Sequence, residues 1–250
     1  MKKTLEIINA LAIAVAALTL STTAAHATRP LGVDVYDGNG SINWEDVYNS
    51  GVSFVYVKAT EGTYYEDANY NYNIATAQAD GLYGGAYDFA RPDLDTPSEE
   101  ASYFWNFAKG HIGSGGESIM PALDMETWNG VDGASSYTAW ANDWCADVVS
   151  LASAAGKKVH PVVYVSSCNA CYFTSSLTGY PWLANYNGED LYTGNPWNTC
   201  TSCEVWGSGV WDFWQASDTG SCPGITDDCD FDTYNGTLSQ MLTKMLITAE

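Results

Sequence analysis

Five apolar runs recur along the first two-thirds of the chain, at residues 31–37, 54–60, 82–90, 119–123 and 159–165. Each gives way to acids, glycine or polar residues. The runs are near-continuous rather than alternating, which fits strands buried on both faces. Segments of helical period lie between them. Residues 41–50 put Trp44 and Val47 on one face, and residues 67–80 read as a helix stopped at Gly81. Thr96-Pro97-Ser98-Glu99 is a helix start, with Thr as N-cap, Pro in the first turn and Glu three residues on; that helix should end near Gly110. Tyr137, Trp140, Trp144, Val148 and Leu151 recur at spacings of three and four, up to Gly156. Strand–helix alternation of this kind predicts an α/β fold of parallel βα units closed as a barrel.

After residue 165 the pattern changes. Residues 181–186, 210–215 and 229–232 read as three more strands, separated by turn-rich, cysteine-bearing loops without a convincing helix. Residues 237–249 read as a terminal helix with Leu238, Met241, Leu242, Met245 and Leu246 inward. The expectation is eight strands, about five βα units and then three C-terminal strands with few helices.

The N-terminus changes the picture of where the protein works. Lys2 and Lys3, an apolar run over 11–20 and Ala25-His26-Ala27 form the three regions of a secretory signal. Cleavage is expected after Ala27, leaving residues 28–250 as a single exported domain. No later stretch has the length of a membrane span, so no membrane partner is expected of the mature form.

The formal charge is −21, and loss of the leader makes it one unit more negative. Nucleic acid is not expected as a partner, because phosphate binding needs a basic face. The chain carries 10 Trp and 17 Tyr. Most serve packing, but such faces also stack on sugar rings. All 7 cysteines lie between Cys145 and Cys229. Cys168-x-x-Cys171 and Cys200-x-x-Cys203 have zinc-site spacing, but export favours disulfides. Three disulfides are expected, with Cys145, inside a helical pattern, left as a buried thiol. No metal or cofactor is expected. With only His111 and His160 beyond the leader, a histidine-rich metal site is poor, and His160 beside Pro161 reads as a packed residue.

The candidate chemistry centres on Leu123-Asp124-Met125-Glu126. In an extended segment, residues i and i+2 share a face, so Asp124 and Glu126 should stand side by side with Met125 turned away. Two carboxyls that close cannot both ionise freely, and one that keeps its proton is a candidate general acid. Read blandly, the pair is an acidic loop after a buried strand. Barrel enzymes place their sites at the C-terminal ends of strands. The acids there are Asp34, Asp124, Glu126 and, from the last strand, Asp230 or Asp232; Lys58, Tyr87, Tyr164, Trp182 and Trp214-Gln215 take comparable positions. Acids converging from several strands, with aromatics between, form a glycosidase-like set. A Gly-x-Ser-x-Gly elbow is missing from the sequence, which argues against a serine hydrolase.

Six segments, in order, resemble the glycoside hydrolase family 25 lysozymes, the Chalaropsis-type N-acetylmuramidases. They are Gly32-Val33-Asp34-Val35, the run from Phe54 to Gly62, Gly85-Ala86-Tyr87-Asp88-Phe89, Leu123-Asp124-Met125-Glu126, Phe213-Trp214-Gln215, and the run from Asp230 to Gly236. The resemblance implies a flattened, irregular barrel that hydrolyses the β-1,4 bond between N-acetylmuramic acid and N-acetylglucosamine in peptidoglycan. It places the family acids on Asp34, Asp124, Glu126 and Asp230, with Glu126 as acid/base and Asp124 orienting the substrate N-acetyl group or stabilising developing positive charge. Lys58, Tyr87, Asp88, Tyr164, Trp182, Trp214 and Gln215 would bind substrate. Many members carry His where this chain has Asp88, and Trp-Gln-Tyr where it has Trp214-Gln215-Ala216. The rival readings are a family 18 type chitinase, whose upstream acids are missing before Asp124, and a non-catalytic, lectin-like peptidoglycan-binding barrel. A monomer is expected.

Overall fold

The computed structural model describes residues 29–113 and 116–250; the leader expected at 1–27 lies outside the described residues. Eight strands form the barrel: β1 (Leu31–Val35), β2 (Val52–Glu61), β3 (Tyr83–Phe89), β4 (Ala122–Asp124), β5 (Val162–Ser166), β6 (Tyr180–Ala184), β7 (Phe213–Gly220) and β8 (Cys229–Tyr234). From β1 to β7 each strand pairs in parallel with the next. Strand β8 runs antiparallel to both β7 and β1 and closes the ring. Two short pairs flank it: Tyr65–Glu66 folds back on the end of β2, and Lys157–Lys158 pairs with Thr248–Ala249.

Helices α1 (Trp44–Asn49), α2 (Tyr70–Ala79), α3 (Pro97–Ala108) and α4 (Gly133–Ala154) are the crossovers between the first five strands. Helix α3 starts as its sequence demands: the Thr96 side chain accepts from the Glu99 backbone N–H, and Glu99 reaches back to Thr96. Helix α2 starts three residues later than the pattern indicated. Asp67 is used before it, accepting from the backbone N–H groups of Asp37 and Asn69. Strand β5 begins after Pro161, which has no N–H to give; the Val162 N–H donates to the Pro121 carbonyl. Past β5 the connections hold only 3-10 turns, Ala170–Tyr172 and Thr201–Cys203. Helix α5 (Leu238–Met245) is shorter than the apolar pattern over 237–249, because the chain turns extended at Leu246 to form the small terminal pair.

Period-two alternation decides what fills the barrel. Phe54, Tyr56, Trp182 and Phe213 are all fully buried or nearly so and stack on one another, with Tyr56 and Trp182 centroids 4.5 Å apart. Burial of each such ring contributes about 1.5–3 kcal/mol. Two inward glycines make room for them: a Cβ at Gly32 would lie 2.2 Å from the Phe54 ring, and one at Gly85 2.4 Å from the Tyr56 ring. Residues on the outward faces of the same strands, such as Val55, Val57, Leu123 and Val163, are fully buried as well.

The cysteines depart from the expected three closed disulfides. Only Cys168–Cys200 is closed. Cys171 and Cys203 stand as hydrogen-bonded thiols, as do Cys222 and Cys229. Cys145 is free and buried, and burial pushes its thiol up to about 12. Because each remaining pair is already in contact, oxidation should close both without moving the backbone far. Native protein from an oxidising compartment should take up no alkylating label, and unfolded protein one label, at Cys145. Labels on Cys171 or Cys222 in native protein would contradict this. The sequence has two glycosylation sequons, Asn39-Gly40-Ser41 and Asn235-Gly236-Thr237, and the asparagine of each is engaged in fold contacts. Asn39 is buried, accepts from the Tyr36 N–H and donates to the Asp228 carbonyl, while Asn235 donates to the Trp211 carbonyl.

Candidate active site

A cleft of about 250 Å³ opens at the end of the barrel where β1–β7 finish. Its walls include Asp34, Asp124, Glu126 and Asp230, together with Lys58, Tyr87, Tyr164, Trp182 and Gln215. These are nine of the positions read from the sequence. The reason is geometric. Asp34, Lys58, Tyr87, Asp124, Tyr164, Trp182 and Gln215 all occupy inward positions near the C-terminal ends of parallel strands.

Asp230 arrives differently. The sequence reading placed it at the C-terminal end of a strand, but β8 is antiparallel, so it reaches the same rim from near the strand's start. It lies directly opposite Asp34 in the β1–β8 register. Glu126 also differs. Strand β4 ends at Asp124, so Glu126 projects from the following loop, solvent-exposed at the cleft mouth, yet on the same wall as Asp124. Met125 between them is fully buried, and its N–H donates to the Tyr164 carbonyl.

Two expected substrate contacts do not reach the cleft. Trp214 points outward from β7, away from Gln215. It is fully buried, packs edge-on to Trp211 and donates its indole N–H to the Asn185 carbonyl. Asp88 points outward from β3. It is fully buried and accepts from the Thr60 hydroxyl at 2.6 Å and the Trp144 indole at 3.0 Å, with the Glu100 carboxyl against it. Each was misplaced for one cause: a strand buried on both faces gives no polar signal of which side turns inward. Three lining residues were missed as site residues: Tyr36, Phe89 and Tyr186. All three sit at or just past a strand's C-terminal end, and that position was the available signal. Tyr36 is 49% and Tyr186 50% exposed, so both offer open faces to a ligand.

A polar relay ties the walls together. Gln215 donates through Nε2 to Asp34 Oδ2 at 2.7 Å, and its Oε1 accepts from the hydroxyls of Tyr164 at 2.8 Å and Tyr186 at 2.7 Å. Trp182, the floor of the cleft, donates its indole N–H to Asp232 Oδ1 at 2.8 Å. Lys58 is the one cation on the wall. It is held by Glu61 at 2.8 Å and lies 4.7 Å from the centre of the Phe89 ring.

The electrostatics are those of too many carboxyls for one cation. Desolvation, then the charge of Glu126, raises Asp124 well above its ordinary value. Desolvation raises Glu126, with Lys58 opposing. Desolvation and then Asp232 raise Asp34, and desolvation and then Asp34 push Asp230 up to about 9. Such a site holds protons at neutral pH and can give one up to a leaving group. Among the described residues, no group of three or more His, Cys, Asp or Glu side chains is arranged to hold a metal ion.

An eight-stranded barrel whose rim gathers four acids and several aromatics defines a barrel glycoside hydrolase. The comparisons agree. A family model described as glycosyl hydrolases family 25 matches residues 33–225, and the chain belongs to that family. It is 30% identical over 233 residues to Lysozyme M1 of Streptomyces globisporus, covering 87% of this chain and 72% of that one. It is 40% identical over 213 residues to the autolytic lysozyme of Clostridium acetobutylicum, covering 82% of this chain and 55% of the relative. Among solved structures it resembles the bacterial lysozyme from Streptomyces coelicolor, with a TM-score of 0.72 and 27% identity over 86% of this chain and 96% of that one. It is also similar to a family GH25 lysozyme from Aspergillus fumigatus, with a TM-score of 0.67 and 27% identity over 86% of this chain and 98% of that one.

Proposed function

We propose that this glycoside hydrolase is a secreted, monomeric lysozyme that cleaves the β-1,4 bond between N-acetylmuramic acid and N-acetylglucosamine in bacterial peptidoglycan, with Glu126 as general acid. The observation that carries the reading is the Asp124/Glu126 pair on one cleft wall, facing Asp34 and Asp230 across the floor made by Trp182. Glu126 is the member of the pair open to solvent, and so to a leaving-group oxygen. Desolvation raises its carboxyl, which favours the protonated form that glycosidic cleavage requires. Asp124 lies deeper beside it, 7% exposed with one oxygen lacking a hydrogen-bond partner. That unpartnered oxygen is placed to accept from a substrate amide or to stabilise positive charge developing at the sugar. Tyr36, Phe89, Trp182 and Tyr186 supply faces for stacking sugar rings.

Secretion is supported by the signal-like N-terminus and the Cys168–Cys200 disulfide. Among the described residues, no helix is long and apolar enough to cross a membrane. The test is clearing of a suspension of bacterial cell walls, with chitin as control. Clearing of walls and not of chitin is expected; activity on chitin alone would favour the chitinase reading. Walls are often anionic, and a chain at −21 is repelled from them at neutral pH. Lysis should therefore peak on the acid side and be raised by moderate salt at pH 7. An optimum above neutrality that salt leaves unmoved would contradict this.

A further inference from the structure

Asp232 stands outside the cleft walls, one inward position below Asp230 on β8. It is fully buried. Its Oδ1 accepts from the Trp182 indole at 2.8 Å, but its Oδ2 is buried without a hydrogen-bond partner. An ionised oxygen left this way loses its hydration and gains nothing in return. The groups around it are few. From β1, the Asp34 carboxyl is in hydrogen-bonding contact with it. From its own strand, Asp230 raises it further. From β6 comes Trp182, already used. From β2, the Tyr56 ring stacks on Trp182, but its hydroxyl donates to the Met120 carbonyl. Among the described residues, no cation is among the groups that shift Asp232. Asp34 Oδ2 accepts from Gln215, and the Asp34 carboxyl also meets that of Asp230. A hydrogen placed between Asp34 and Asp232 gives the orphaned Oδ2 a partner and removes one of two adjacent charges.

We propose that Asp232 is a positioning residue that shares one proton with Asp34 beneath the cleft, so that the pair presents a single negative charge and holds both Asp34 and the Trp182 floor in place. The inference rests on the lysozyme reading for its catalytic consequence. While the proton is shared, Asp34 keeps its orientation toward the cleft and Trp182 keeps its acceptor. When the proton leaves, two adjacent carboxylates face each other in a dry site, repel, and release the floor. Desolvation raises both Asp34 and Asp232 above the ordinary carboxyl range, so the last proton of the pair leaves at higher pH than a free carboxyl would lose it.

The Asp232→Asn variant separates titration from structure. Its amide oxygen can still accept from Trp182, and its NH₂ can donate to an ionised Asp34, giving the same single charge with no proton to lose. Lysis at acid pH should stay within about tenfold of the parent, because positioning is kept. Glu126 must itself hold a proton and so sets the alkaline limb of kcat/KM; the pair is read apart from it, through binding. Binding of a soluble wall fragment should weaken at alkaline pH in the parent, as the floor is released, and hold in Asp232→Asn. A residue that merely packed would change stability and leave that pH dependence in place. Infrared difference spectra of parent against Asp232→Asn at pH 7, taken without substrate, should show the loss of one protonated-carboxyl stretch. Binding that weakens alike in both proteins, or an unchanged carboxyl band, overturns the proposal. If the parent fails to clear walls at any pH, the lysozyme reading falls, and the infrared spectra still decide whether the proton is shared.

Discussion

Replacing Glu126 by Gln should lower cell-wall lysis by roughly 10²–10⁴, the range that a positioned acid contributes. The amide keeps the size and hydrogen-bonding reach of the carboxyl but has no proton to transfer. Binding to insoluble peptidoglycan should survive, because Tyr36, Trp182 and Tyr186 still line the cleft. Asp124→Asn should lose a smaller or comparable factor, since its role is electrostatic. Two neighbours act as controls with the opposite signature. Met125→Ala empties a fully buried site and should cost about 2–5 kcal/mol of stability while leaving the chemistry of folded molecules intact. Trp214→Phe removes an indole bonded to the Asn185 carbonyl outside the barrel, and should likewise lower the melting temperature rather than wall binding. Lysis by folded Glu126→Gln at the parent's rate would remove Glu126 from the mechanism.

Stability should fall steeply as pH rises, the second large effect. Desolvation raises Asp34, Asp88, Glu100, Asp124, Asp230 and Asp232 in the folded protein. In the unfolded chain such groups titrate near 4. Above that value the native state binds more protons than the unfolded state, so each added pH unit weakens folding. This stabilisation is fully present below about pH 4 and is lost as pH passes the folded values, about 8 for Asp232 and about 9 for Asp230. Glu61 and Asp93 shift the other way, lowered by their partners Lys58 and Arg91, but they are only partly buried and oppose weakly. Calorimetry should show a melting temperature lower by on the order of 10 °C or more at pH 9 than at pH 5. Repulsion at −21 works in the same direction. Salt screens that repulsion but not the buried groups, so most of the drop should persist in high salt. A melting temperature that rises from pH 5 to 9 would show that these carboxyls ionise freely.

The sequence carried the barrel in particular places. Runs such as 54–60 and 82–90 are too uniformly apolar for a one-faced sheet, and the Thr96–Glu99 capping box starts a helix where it was read. Asp124 and Glu126 were legible as neighbours on one wall because residues i and i+2 of an extended segment share a face. The direction of β8 was not legible, since Cys229–Tyr234 reads alike in either sense; only pairing with β1 and β7 sets it. Trp214 and Asp88 were assigned to the cleft because a doubly buried strand hides its inward face. The Asp232 contact with Trp182 spans fifty positions of chain, a separation that no local pattern encodes.

The linkage cleaved is the most direct test of the whole reading. Purified peptidoglycan is digested with the parent protein and with Glu126→Gln, the new reducing ends are converted to sugar alcohols, and the products are identified by mass spectrometry. The account predicts N-acetylmuramitol ends from the parent and almost none from the variant. N-acetylglucosaminitol ends from the parent, or equal yields from both proteins, would contradict it.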